Sequence, residues 1–341
     1  MKINCLSYPS RCLIQFCMAV VLFGFILSCK GDHKGEKEVY IFKVSLWANQ
    51  DHTWFKAFDY FKETLDQRTN GRLQLEVYPS EQLAKEIESI RLIQAEVIDM
   101  TATASLLSNW IEIAAFCEMP FLLRDSIDKD NLLNGPIGNR VKREMLEELG
   151  LRPVAIFERG PRHLTSNVPI RHPDDLNGII LRVPNVPSFV TAWSAMGAKP
   201  TPMAFSEVFT ALQQGTIAGQ ENPMSLISTA GFSEVQEYIN LTEHVMSWSY
   251  AVVGEKQFQK LPPDLQEIFL SAAKDMEAFE RNLFLTNERN VRATLEGKGM
   301  QFVEVDKNAF SKKCEQAIYN SLSPEMQIVY KEFVTIRNQR G

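Results

Sequence analysis

From Pro262 and Pro263 to about Leu295 the chain carries an unbroken helical periodicity. Helices beyond about 25 residues are unusual inside one compact domain, so this run constrains the fold more than any other stretch. Proline suits the first helical turn, because the N–H it lacks would have no partner there. The expectation is a helix over 262–295 that bridges two lobes.

Upstream, strands and helices alternate. Val39–Leu46 reads as a strand and Trp54–Arg68 as an amphipathic helix stopped by Thr69-Asn70-Gly71. Arg72–Tyr78 is a period-two strand closed by Pro79. Ser80 is placed to cap a helix over Glu81–Ala95, and Val97–Ala102 is the next strand. This β-α-β-α-β order predicts an α/β fold with a mostly parallel sheet covered by helices. Further on, Asn131–Leu149 reads as one helix, and Pro153–Glu158 and Ile179–Val183 as strands. Pro187–Met196 and Ser206–Gln214 read as helices, the second capped by Ser206. Tyr250–Gly254 and Met300–Val305 are strands, and Asn308–Asn320 and Pro324–Asn338 closing helices.

The N-terminus bears on the compartment. Lys2 and Arg11 are basic, the first acidic residue is Asp32, and the apolar run Cys12–Leu27 ends at Ile26-Leu27-Ser28-Cys29. This is a signal-peptide pattern, and its end looks like a bacterial lipobox, with residues 1–28 removed and Cys29 lipidated. The apolar run falls short of the roughly twenty residues a spanning helix needs. Charged, glycine-containing residues up to Glu38 then make 29–38 a solvated tether. The whole chain has a net charge of −6, and losing Lys2 and Arg11 makes it more acidic. Nucleic acid and anionic membrane surfaces are therefore poor partners, and contact with the membrane is expected through the lipid alone. Cys117 and Cys314 are far apart, lack metal-type spacing, and read as idle thiols more readily than as a disulfide.

Enzyme machinery is missing from the sequence. There is no G-x-S-x-G, H-E-x-x-H, G-x-x-x-x-G-K-[ST] or G-x-G-x-x-G. His33, His52, His163, His172 and His244 are scattered, and none pairs with a carboxylate or cysteine at ligand spacing. No catalytic residue, cofactor or metal is nominated. The arginines say more. Arg182 ends the apolar strand 179–183, just before Pro184, where open α/β sheets bind ligands. Its planar fork of donors matches a carboxylate as a lysine cannot. Arg162 stands in a short segment leading into β-like residues and can supply a second donor. The alternative for each arginine is an ordinary pairing with Asp or Glu.

Four runs carry a family resemblance: G-P-R-H-L-T-S-N (160–167), D-L-N-G-I-I-L-R-V-P-N (175–185), G-A-K-P-T-P-M-A-F-S-E-V-F-T-A-L-Q-Q-G (197–215) and G-Q-E-N-P (219–223). Together they resemble the DctP-like solute-binding proteins of TRAP (tripartite ATP-independent periplasmic) transporters. Weaker likeness extends over T-N-G-R-L-Q-L-E-V-Y-P-S-E-Q-L (69–83) and L-P-P-D-L-Q (261–266). The resemblance implies a two-lobed, Venus-flytrap fold whose long helix crosses both lobes. Lobe 1 would hold residues 39–160 and lobe 2 residues 161–249, each with part of 250–341. A carboxylate-bearing solute would bind between the lobes and be delivered to a separate membrane permease. Arg182 matches the main carboxylate anchor, Arg162 a second arginine, Asn222 a ligand-contacting amide and Phe205 a ring that packs on the ligand. Asn185, in L-R-V-P-N, joins the candidate contacts.

Departures bear on the ligand. Where sialic-acid-binding members carry an asparagine after the first strand, this chain has Trp47. Where they carry a glutamate after a later sheet strand, it has Ala104. Glu86 can stand in for one acidic contact, its alternative being a surface position. Trp47, with Trp248 as a possible neighbour, suits the apolar face of a sugar ring, while ordinary core packing explains either tryptophan equally well. A sugar acid such as a uronate is therefore expected, with a C4-dicarboxylate, sialic acid or a ligand-sensing role as alternatives.

Overall fold

The computed structural model describes residues 38–339. The signal segment and Cys29 lie outside them. Nine strands form one sheet: β1 Tyr40–Ser45, β2 Leu73–Tyr78, β3 Met100–Thr103, β4 Leu151–Ser166, β5 Ile180–Val183, β6 Lys199–Pro202, β7 Gly219–Pro223, β8 Tyr238–Gly254 and β9 Gln301–Val303. Their order is β2-β1-β3-β8-β4-β7-β5-β6, with β9 against β8.

The sheet is mixed rather than mostly parallel. β1 pairs parallel with β2 and β3, and β5 with β6 and β7. Between these groups run β4 and β8, which are antiparallel to each other; β8 is also antiparallel to β3, and β4 to β7. The expected short strands 153–158 and 250–254 are only the ends of these 16- and 17-residue strands. The β4–β8 register shifts between Arg159 and Arg162 and again before Leu164. Gly160-Pro161 lies at the first of these shifts, where proline cannot donate a ladder hydrogen bond.

The long helix forms over Pro263–Gly297, 35 residues. Leu265, Phe269, Ala272, Ala273 and Met276 pack into one core with β1–β3 and the helix Thr53–Thr69. Val291 and Leu295 belong to a different core, with Val208, Leu212, Ile227 and Ile239. Full burial of each large side chain contributes about 1.5–3 kcal/mol, so the helix is anchored at both ends. Between these anchors its carboxylates hold the β4 backbone. Glu277 accepts from Ile156 N at 2.6 Å, and Glu280 from Glu158 N at 2.9 Å and Thr53 Oγ1 at 2.8 Å. A Cβ on Gly160 would stand 3.1 Å from Glu288 Oε1, so glycine lets the helix approach the strand at the register shift.

Local chemistry changes three expected helices. Ser80 and Glu81 both adopt positive φ, 55° and 57°, and form a left-handed turn whose N–H groups bond to Ala48 O and Leu46 O. Ser80 is therefore not a cap, and the helix runs over Glu86–Gln94. Asn131–Leu149 is two helices, Ser126–Asn134 and Pro136–Leu149, because Gly135-Pro136 ends one and starts the other. Ser206 sits in a 3-10 turn, Phe205–Glu207, before the helix Val208–Gln213. Cys117 and Cys314 are buried free thiols.

Candidate functional site

A cavity of about 510 Å³ lies between the β1–β3 side of the sheet and the β5–β7 side, within the range of small-molecule sites. Seven residues nominated from the sequence line it: Trp47, Glu86, Arg162, Arg182, Asn185, Phe205 and Asn222. Ala104 lines it as well. Trp248 does not. It is 1% exposed and packs edge-on to Tyr250, ring centroids 6.1 Å apart. On β8 its side chain falls on the core side, so the expected sugar-ring contact from Trp248 is corrected to core packing.

Arg182 stands at the C-terminal end of β5, where register sets it beside Thr201 of β6 and Gln220 of β7. Its Nε and Nη2 donate to Met203 O at 3.0 and 2.6 Å. No carboxylate among the described residues pairs with it, although the residue is 4% exposed. Burial pushes its pKa down to about 10, against the pull of Glu221, so it stays charged at neutral pH. The guanidinium lies 6.0 Å from the Phe205 ring. A buried cation without a carboxylate partner is costly, and an anion in the cavity would supply that partner.

Arg162 has taken the other option. Its Nε donates to Glu221 Oε2 at 2.5 Å, and its Nη2 to Glu221 Oε1 at 2.7 Å and Glu221 O at 2.8 Å. His244 Nε2 lies 2.9 Å from the same carboxylate, with Nδ1 2.8 Å from Thr242 Oγ1. Burial alone would raise the Glu221 pKa, but Arg162 and His244 outweigh it and hold the group at about 2. Burial lowers the pKa of His244 against Glu221. In Arg162 the pull of Glu221 overcomes burial, and its pKa rises. Only Nη1 of Arg162 is left without a partner. Asn222 is oriented by a chain of hydrogen bonds. It donates to Gln220 Oε1 at 2.7 Å, and Gln220 donates to Thr165 Oγ1 at 3.0 Å.

The opposite wall has a different chemistry. Glu86, on the first turn of its helix, accepts from Thr103 Oγ1 at 2.9 Å. Burial pushes its pKa up to about 7, with Thr103 and the charge of Arg159 acting in the opposite direction. Arg159 also lines the cavity; it is buried, ion-paired to the buried Glu118, and lies 5.8 Å from the Trp47 ring. Burial lowers its pKa despite Glu118. Arg159 Nε and Trp47 Nε1 have no hydrogen-bond partner among the described residues. The sequence reading missed Arg159. The available signal was an arginine three residues before Arg162, just ahead of Gly160-Pro161 in the same strand.

The two walls meet at the rim. Trp47 and Phe205 pack edge to face at 5.1 Å. Lys85 Nζ is 2.5 Å from Glu207 Oε1, Ser206 Oγ donates to Glu81, and Asn109 Nδ2 donates to Asn185 O at 3.0 Å. The cavity is thus lined by three buried arginines and closed by contacts between opposite sides. No cluster of metal-ligating side chains occurs among the described residues.

Residues 44–329 match the family model of the bacterial extracellular solute-binding proteins, family 7, DctP. The chain is 46% identical over 285 residues to a solute-binding protein of Roseobacter denitrificans, covering 84% of this chain and 88% of that protein. It superposes on the crystal structure of a TRAP periplasmic solute-binding protein from the same organism with bound L-galactonate. The TM-score is 0.84 at 43% identity, covering 88% of this chain and 100% of that one. A TRAP periplasmic solute-binding protein of Haemophilus influenzae with bound L-gulonate gives a TM-score of 0.79 at 32% identity, covering 89% and 100%. The chain belongs to family 7 of the bacterial extracellular solute-binding proteins, with the two-lobed fold of these TRAP proteins, and is a transport protein rather than an enzyme.

Proposed function

We propose that this chain captures a sugar acid, foremost an open-chain hexonate, and delivers it to a TRAP membrane permease. Arg182 carries the reading: a buried, charged guanidinium facing a cavity without a carboxylate of its own. In this reading Arg182 is the main carboxylate anchor, and Asn222 and the remaining Nη1 of Arg162 complete the acceptor sites of the carboxylate. Phe205 and Trp47 wall the apolar faces of the carbon chain, and Asn185 and Glu86 take hydroxyl groups. Relatives holding L-galactonate and L-gulonate support a hexonate as the first choice. We assign lobe 1 to 39–160 and lobe 2 to 161–249, with the β4 register shift at their junction and the long helix across both. Lipidation of Cys29 would tether the protein to a membrane through the 29–38 segment. Calorimetry of the soluble chain against hexonates, uronates, C4-dicarboxylates and sialate tests the function: tightest binding is expected among hexonates. Failure of every sugar acid to bind contradicts it. For the tether, a Cys29→Ala variant that still partitions with membranes contradicts lipidation.

A further inference from the structure

The charges lining the cavity are unevenly placed. On the β5–β7 side, Glu221 balances Arg162, and no carboxylate among the described residues pairs with Arg182, which leaves one positive charge. On the other side, Glu118 balances Arg159, and Glu86 is partnered only by the neutral hydroxyl of Thr103. That end is therefore neutral or negative, according to the state of Glu86. At the rim, Lys85 and Glu207 neutralise each other, while Glu81, which accepts from Ser206 Oγ, and the exposed Glu88 add further carboxylates to the lining on the Glu86 side. Arg91, on the helix that begins at Glu86, is exposed to solvent, where its charge is screened.

We propose that Glu86 restricts the cavity to monocarboxylates with a hydroxyl group at the far end and rejects the corresponding diacids. The proposal rests on the sugar-acid reading and deepens it. An ionised or neutral carboxyl can accept a hydrogen bond from a terminal hydroxyl, as it accepts one from Thr103. A second ligand carboxylate at that end has no proton to donate and meets ionised Glu86 as a like charge. Like-charge juxtaposition at an interface is unfavourable and serves to reject a wrong partner. Arg182 is the buried arginine of the lining without a paired carboxylate among the described residues, and a single ligand carboxylate matches it.

L-galactonate and galactarate test this directly, since they differ only by a terminal CH2OH in place of a carboxylate. Calorimetry on the wild-type chain, run well above pH 7 so that Glu86 is ionised, should give at least about 100-fold tighter binding of L-galactonate. The Glu86→Gln variant keeps the acceptor oxygen for Thr103 and removes the charge. It should narrow that ratio by about tenfold or more, with a thermal melt to confirm folding. Equal binding of the two acids by the wild type overturns the proposal, whatever the variant does. Tight binding of L-galactonate with an unchanged ratio in Glu86→Gln removes Glu86 as the determinant and leaves the sugar-acid reading standing. Failure of both acids to bind defeats the proposal, and failure of every other sugar acid as well defeats the sugar-acid reading.

Discussion

Arg162 and Arg182 line the same cavity, one on β4 and one on β5, yet they stand in opposite electrostatic states. Arg162 is held by both oxygens of Glu221, and that carboxylate is held in turn by His244. Arg182 bonds only to a backbone carbonyl. A buried guanidinium with a full carboxylate partner is part of the scaffold, whereas one without a partner is a place for an anion. A family motif marks both arginines alike. The partners separate the frame from the anchor.

The largest effect that would sharpen this contrast lies in Glu221. Glu221→Ala leaves Arg162 buried without its carboxylate, and we expect a loss of about 3–5 kcal/mol in stability, read by denaturant unfolding. Its pH signature has a definite sign. The folded-state pKa lies below the usual 4.5, at about 2. The stabilisation is therefore complete above about pH 4.5 and drains as pH falls towards 2. The wild type should lose stability in that window and Glu221→Gln should lose less; identical acid profiles would break the distinction between the two arginines.

Phe205 comes next. It packs on Trp47 across the rim and lies over Arg182 but is only partly buried. Phe205→Ala should weaken sugar-acid binding by about tenfold, with a smaller effect on the melting temperature; a large loss of stability with unchanged affinity would make the ring structural. A smaller effect comes from pH on binding. An anion in the cavity disfavours ionisation of Glu86, which burial already holds at about 7. Binding should take up a proton near neutrality, and affinity should fall severalfold as pH rises through 7. The groups acting on Glu86 are Thr103, Arg159, Glu118 and Glu81. Glu86→Gln should abolish the slope. The smallest effect is at the rim. The Lys85–Glu207 pair is about half exposed on each side, and such pairs contribute little. Glu207→Gln should change affinity by less than about threefold; a larger change would make the rim a working latch.

Much of the fold and site was legible in the sequence, and the omissions have physical reasons. The long helix was visible because its periodicity is local, and β1, β2 and the helix between them because alternation and a Thr-Asn-Gly stop are local. The cavity residues on β4, β5 and β7 were legible through motifs. Partners that depend on tertiary approach were not. Glu221 meets Arg162 across 59 residues of chain, and Glu118 meets Arg159 across 41. Strand side was also hidden for Trp248, because β8 is nearly continuously buried and shows no alternation to read. Ser80 looked like a cap because serine commonly is one; the bonds to Leu46 O and Ala48 O that hold it in a left-handed turn come from another strand's end.

The central claim is that Arg182, rather than the better-bonded Arg162, is the main anchor of a ligand carboxylate. Its direct test is a calorimetric titration of L-galactonate into the wild type and Arg182→Ala, with thermal melts of both. Loss of the partner of a buried ion pair should weaken binding by about 10²–10³ or more, while the variant, relieved of a buried unpaired cation, melts no lower than the wild type. Equal affinity in the two proteins would contradict the account.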